Sequence, residues 1–351
     1  MSYQTSLYQQ CEDLQARLPQ IFANTAEFQR DRAPFYEYLL SPANENGINQ
    51  TINPGMGKTR TLNVIYNRPI LESTVTEQTG RACRSYPGIS DYVESYEIDT
   101  EAILESGESI HVADLARKCE NNADFVARTL LRHLVAVDKK VATKTSNQAA
   151  ALLGNYSADV IAAESLAEDF NLVVQTLLAD GNYKAGAMEL VQWALEASNF
   201  AGAVGFGGRL FYEHVRLAMA GCCTQWGINV NDLMQEFGFA FGYDRRVATA
   251  LGDAQTKNIV MEPQALQLLR YTENEALGDL GTLDLATSNF YGTAVTPAGL
   301  PVDVTIKDDC KHFTIQVQAC TKLVGKPSDM FASGDNYFGV TGVAEVTVTN
   351  P

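Results

Sequence analysis

The chain has 351 residues, a length that suggests two or three domains or one core with extensions, and with 46% of residues apolar and 19% charged its composition excludes an intrinsically disordered chain. Its 42 acidic residues against 26 basic ones leave a net charge of −16, which argues against a protein whose main task is to grip nucleic acid by its phosphates. No run of about 18 apolar residues occurs, so no membrane-crossing helix is expected, and the opening residues lack the charged start and apolar stretch of a signal peptide.

Residues 1–50 read as an arm. Pro19, Pro34 and Pro42 break the apolar positions, a short helix is expected over Tyr8 to Leu18, and an Asn-, Gly- and Pro-rich linker follows. Such a segment is expected to bury itself poorly and to gain stability on a neighbour. Residues 61–66 and 92–98 are two β-type runs separated by a long polar segment. They predict an extended hairpin with little core of its own, in need of a partner surface.

From 112 to about 145 the apolar positions Val112, Leu115, Cys119, Val126, Leu130, Leu134, Val137 and Val141 recur at helical steps with no Pro or Gly between them. A helix of about 30 residues would be a rod of roughly 45 Å. A second helix is expected over 158–178, carrying Val160, Ala163, Ala167, Phe170, Val174 and Leu177, and a third over 186–198. An apolar strand at 203–208, a helix over Arg209 to Ala220, and a strand at Asn258–Met261 ended by Pro263 imply an α/β layer. At the C-terminal end, Val302, Val304 and Ile306, then Phe313, Ile315 and Val317, alternate with polar residues, and 343–348 is again strand-like. That period of two marks half-buried antiparallel strands. The fold class is α+β, without an internal repeat.

Catalytic motifs are incomplete. Gly55-Met56-Gly57-Lys58-Thr59 ends like a phosphate-binding loop, but Ile52 stands where the first Gly belongs and Thr61 to Tyr66 reads as strand where a helix is needed. The glycines of 202–208 miss the dinucleotide-binding register at positions 204 and 210 and are expected to mark a close approach of backbones. His111, His133, His214 and His312 are far apart, with no His or Cys at helical spacing. Asp308-Asp309 before Cys310 reads as a strand-end turn. The seven cysteines, Cys11, Cys83, Cys119, Cys222, Cys223, Cys310 and Cys320, form no C-x-x-C pair and are expected to be reduced thiols, mostly core residues. No catalytic residue, cofactor or metal is assigned.

The order of these parts resembles the major capsid proteins of tailed double-stranded DNA phages, the Hong Kong 97-type fold. In that family the parts are an N-terminal arm, an extended E-loop, a peripheral domain with a spine helix, and a mixed α/β axial domain. Local wording is similar too: Glu196 to Phe200 with Ala203 to Gly208; Tyr243-Asp244 with Val247; Val260 to Gln267; Tyr291-Gly292-Thr293; Gly299 to Asp303; Asp308-Asp309-Cys310; Asp335 with Gly339 to Gly342. The likeness runs over residues 60–351 in layout and is specific from about 186 onward.

The resemblance implies an arm over 1–60, a hairpin over 61–98, a peripheral domain from 99–155 and 300–351 with its spine helix at about 112–145, and an axial domain over 156–299. It implies a structural protein, not an enzyme, that assembles as pentamers and hexamers into an icosahedral head around the genome. The expected partners are further copies of the chain, scaffold, portal and decoration proteins, and DNA enclosed without sequence-specific binding. The expected location is the virion capsid, after synthesis in the bacterial host cytoplasm. No scaffold-like N-terminal segment is seen, so a separate scaffold or prior removal is expected. An acidic inner wall would not trap packed DNA. Lys58 and Arg60 at the hairpin base, with Arg81 and Arg84 near its tip, are candidates for ion pairs with neighbouring copies. Two other readings remain: an encapsulin-like compartment shell of the same fold, and a nucleotide-dependent enzyme resting on the partial Gly-Lys-Thr motif.

Overall fold

The computed structural model describes residues 32–45, 51–53, 59–66, 92–99, 101–111, 122–163, 171–175, 204–210, 240–273, 290–308, 311–326 and 342–349. In chain order its first elements are α1 (Pro34–Leu39), α2 (Pro42–Glu45), β1 (Thr51–Asn53), β2 (Thr59–Tyr66), β3 (Tyr92–Asp99), β4 (Leu104–His111) and the long helix α3 (Asn122–Ala163). Then come β5 (Asn171–Gln175), β6 (Val204–Gly207), β7 (Ala240–Tyr243), α4 (Arg245–Ala250), β8 (Lys257–Met261) and β9 (Leu266–Tyr271). The chain closes with β10 (Phe290–Val295), β11 (Pro301–Asp308), β12 (His312–Gly325) and β13 (Val343–Thr349).

The 14 residues of β12 organise one sheet. Its first half lies antiparallel between β11 and β4, with Val317 facing Val304 on one side and Ser106 on the other. Its second half pairs with β9, Cys320 opposite Tyr271. β10 completes the far edge beyond β11. Val302, Val304, Ile306, Phe313, Ile315 and Val317 are all buried, Lys307 is exposed and Thr305 half-buried; Asp303 departs from the alternation and is buried, accepting the Glu273 N–H at 2.9 Å.

Helix α3 crosses this sheet with its stripe inward. Leu130, Leu134, Val137 and Val141, four of the expected positions, are at most 3% exposed, and Ala142, Ala149 and Leu153 extend the buried side. Polar anchors fix the crossing: the Lys144 ammonium donates to the Thr321 carbonyl at 2.8 Å, and the Leu323 N–H donates to the Gln148 side-chain oxygen at 3.1 Å. The expected end near 145 is corrected. The helix has 42 residues and runs on to Ala163, about 63 Å at the standard rise, because the Ala- and Leu-rich stretch after Gln148 propagates helix through Gly154. Its expected beginning at 112–121 lies outside the described residues. The separate helix over 158–178 is also corrected: 158–163 are the last turns of α3, and 171–175 form β5. Helical spacing cannot tell an amphipathic helix from a short apolar run, and Leu172-Val173-Val174 finds a parallel partner in β13.

The second sheet has the order β5-β13-β8-β6-β7 and is mixed. β13 runs parallel to β5 and antiparallel to β8; β6 runs antiparallel to β8 and parallel to β7. The glycine-dense strand end has the cause expected of it. A Cβ on Gly207 would stand 2.6 Å from the Asn258 Cα, and one on Gly205 would stand 2.7 Å from the Phe241 ring. Only glycine lets β6 lie this close to β8 and β7. The helix expected over 186–198 and nearly all of that expected over 209–220 lie outside the described residues.

The N-terminal segment overturns one expectation. Phe35, Tyr36 and Leu39 are at most 2% exposed and belong to the same core as α3 and both sheets. Pro34 and Pro42 open helices instead of breaking them, since an N–H at the first helical position has no intrahelical acceptor and its loss costs no helix hydrogen bond. The expected helix over Tyr8 to Leu18 lies outside the described residues.

Candidate interaction surface

The hairpin is the part of the chain whose sequence least explains its own stability. β2 and β3 pair antiparallel over their whole length, from Thr59 opposite Asp99 to Tyr66 opposite Tyr92, with β1 added along the outer edge of β2. One face alternates inward and one outward. Val93, Ser95, Glu97 and Asp99 are exposed, whereas Ile98 is 2% exposed. Val93 leaves more than half of an apolar side chain in water.

The base of the hairpin has a partner surface within the same chain. Val64 and Ile98 join Leu269, Tyr271, Cys320 and Val324 in a small core of their own. Three polar ties fasten it there: the Tyr96 hydroxyl donates to the Gly325 carbonyl at 2.9 Å, the Lys322 ammonium to the Glu97 carbonyl at 2.8 Å, and the Cys320 thiol to the Asp99 carbonyl at 3.5 Å. The partner surface that the hairpin is expected to need is supplied at this end by β9 and the second half of β12 of the same chain. Of the four basic candidates, Arg60 stands in β2 opposite Ile98. Lys58, Arg81 and Arg84 lie outside the described residues.

The partial phosphate-loop motif runs directly into β2. A strand there supplies neither the dipole nor the row of free N–H groups that a helix N-terminus offers a phosphate. Asp308 pairs with Phe313 at the β11–β12 end, and Asp309 and Cys310 lie outside the described residues. Two histidines distant in sequence do meet: His111 and His312 are cross-strand partners, their rings 5.1 Å apart edge to face. His133 shares a hydrogen bond with the Ser106 hydroxyl at 2.8 Å, and His214 lies outside the described residues. Among the described residues no group of three or more His, Cys, Asp or Glu side chains could hold a metal. No described helix is long and apolar enough to cross a membrane.

The buried titratable groups are tied into the scaffold. Burial pushes the Cys320 thiol up, away from the thiolate a nucleophile needs, partly opposed by Lys144. Burial pushes Lys144 down. Asp244 accepts the Arg246 N–H with one carboxylate oxygen, capping α4, and the Phe35 N–H with the other at 3.1 Å. Asp138 accepts the Tyr36 hydroxyl at 3.0 Å and the Ala298 N–H at 3.1 Å. Asn44 donates to the Leu266 carbonyl and accepts the Gln264 N–H, each at 2.9 Å. Sequence reading missed these three. The signal for Asp138 was present, since it stands four residues after Leu134 and three before Val141, a carboxylate on the apolar stripe.

No family model matches the chain, and no curated protein matches it. Solved structures similar to this chain include proteins of phage capsids. The cyanophage A-1(L) capsid asymmetric unit is similar over 90% of this chain and 92% of that one, at 11% identity and a TM-score of 0.49. The capsid of the cyanophage P-SCSP1u is similar over 85% of each chain, at 10% identity and a TM-score of 0.39. The satellite phage P4 procapsid including its size determination protein is similar over 91% and 90%, at 9% identity and a TM-score of 0.34.

Proposed function

We propose that this chain is the major capsid protein of a tailed double-stranded DNA phage, assembling as pentamers and hexamers into the icosahedral head that encloses the genome. One observation carries the reading. The described chain runs through an antiparallel hairpin, then a helix of 42 residues lying on a sheet, then a second, mixed sheet, and this order supports the layout that the resemblance implies, although β13 joins the second sheet and β9 and β10 the first. The N-terminal segment packs onto the body of this assembly, where α1 joins its core.

The hairpin supports the same reading. Its base is fixed to the body, and 25 residues separate Tyr66 from Tyr92 at its other end, with Arg81 and Arg84 among them. A fixed base makes the far end a defined lever, and closed assemblies need each patch of the surface to meet a defined partner. In this reading Lys58, Arg60, Arg81 and Arg84 form ion pairs with acidic residues of neighbouring copies. A chain with net charge −16 offers such residues widely. The buried polar groups serve as internal ties and the protein is structural; scaffold, portal and decoration proteins are its partners in the head.

Sedimentation velocity over a range of concentrations tests this. The wild type is expected to form species of pentamer or hexamer mass and larger. The double variant Arg81→Glu, Arg84→Glu is expected to keep the circular dichroism of the wild type and to lose the larger species. An unchanged assembly profile would remove the ion-pair role, and a wild type without higher species under any condition, including co-expression with its scaffold, would remove the capsid reading.

A further inference from the structure

The N-terminal segment 32–45 is fastened to three elements distant from it in sequence, each time through a buried polar side chain. Asp244, just before α4, takes the N–H of Phe35. Asp138 of α3 takes the hydroxyl of Tyr36. Asn44 itself grips the turn between β8 and β9 through Leu266 and Gln264, where Gln264 sits at a φ of 68°, a left-handed conformation unusual for a residue with a side chain.

Asp138 differs from the other two in its surroundings. It is 6% exposed, and its hydrogen-bond donors are the Tyr36 hydroxyl, the Thr296 hydroxyl and the Ala298 N–H, all neutral. The charged group acting on it from the segment is Glu37, of like sign. On its own helix, Arg132, Lys139 and Lys140 are exposed, turned to water. The three donors favour the ionised carboxylate, while burial without a cationic partner and the like charge of Glu37 favour the neutral acid, and burial is the largest of these effects.

We propose that residues 32–45 form a proton-controlled clasp, closed most tightly when Asp138 is neutral and loosened when Asp138 is ionised. The burial that raises the Asp138 carboxyl above its ordinary value sets the direction. The closed clasp binds the proton more tightly than the open one. Stability of the closed state is therefore greatest at low pH and falls as pH rises through the raised value. Release of one proton changes the closed-to-open ratio by at most about tenfold per pH unit. The Tyr36 hydroxyl is itself pushed well above its ordinary value by burial and by Asp138, so it stays a donor throughout. The inference rests on contacts within one chain and is independent of the capsid reading.

Hydrogen exchange of the intact protein, read by mass spectrometry as protection factors corrected for intrinsic rates, tests it between pH 4.5 and 8. In the wild type, peptides covering 32–45 are expected to lose protection with rising pH, by up to about tenfold per unit, relative to peptides of β11 and β12. In Asp138→Asn, which keeps acceptor and shape without the charge, the ratio is expected to be flat and as high as the wild type at low pH. Glu37→Gln removes a like charge that favours the neutral carboxyl, and is expected to retain the wild-type slope, shifted to lower pH. A flat ratio in the wild type, or a slope lost in Glu37→Gln but kept in Asp138→Asn, would overturn the proposal; should Asp138→Asn not fold, the wild type and Glu37→Gln still decide it.

Discussion

A carboxylate on the buried side of α3 makes the effect of a single substitution depend on what is left unpaired. Tyr36→Phe removes one hydrogen bond and leaves Asp138 two donors, so a loss of about 0.5–1.5 kcal/mol is expected. Asp138→Ala removes the acceptor shared by the Tyr36 hydroxyl, the Thr296 hydroxyl and the Ala298 N–H, and is expected to cost more, about 1–3 kcal/mol. Urea denaturation at neutral pH ranks the two, and a smaller loss for Asp138→Ala than for Tyr36→Phe would contradict the geometry described. The stripe at Leu134 acts through packing instead. Leu134 is fully buried, so Leu134→Ala is expected to cost about 2–5 kcal/mol through lost burial and a cavity.

Among the elements, those with one strong pattern were readable in advance. The period-two runs at 302–306 and 313–317 sit in β11 and β12 with the expected faces inward, and the run at 61–66 pairs with 92–98 as expected. Elements whose stability comes from distant partners were not readable. β9 has five buried residues among its six and so shows no alternation, and β5 is defined by its pairing with β13. The burial of α1 depends on α3, β6 and β9, and two prolines disguised it as linker. The polar ties at Asp138, Asp244 and Asn44 span more than 100 residues each, beyond any local pattern. The base of the hairpin gives a test at this scale. Val64→Asp places a charge in its small core and is expected to free β2 and β3 from β9 and β12. Limited proteolysis would then cut within 51–99 while α3 and the second sheet stay intact; a cleavage pattern like that of the wild type would contradict the anchoring role assigned to Val64.

In the molecule as a whole, one core joins the N-terminal segment, the long helix and parts of both sheets, and a second, smaller core fixes the hairpin to the same body. The body is thus held from within, and in the proposed reading the hairpin's far end acts on neighbouring copies. That division of labour is what the proposed shell subunit requires. Negative-stain electron microscopy of the purified chain, alone and co-expressed with its scaffold, tests the shell reading most directly. Closed icosahedral particles, or rings of five and six subunits, are predicted. Particles no larger than a monomer or dimer in both preparations would contradict it.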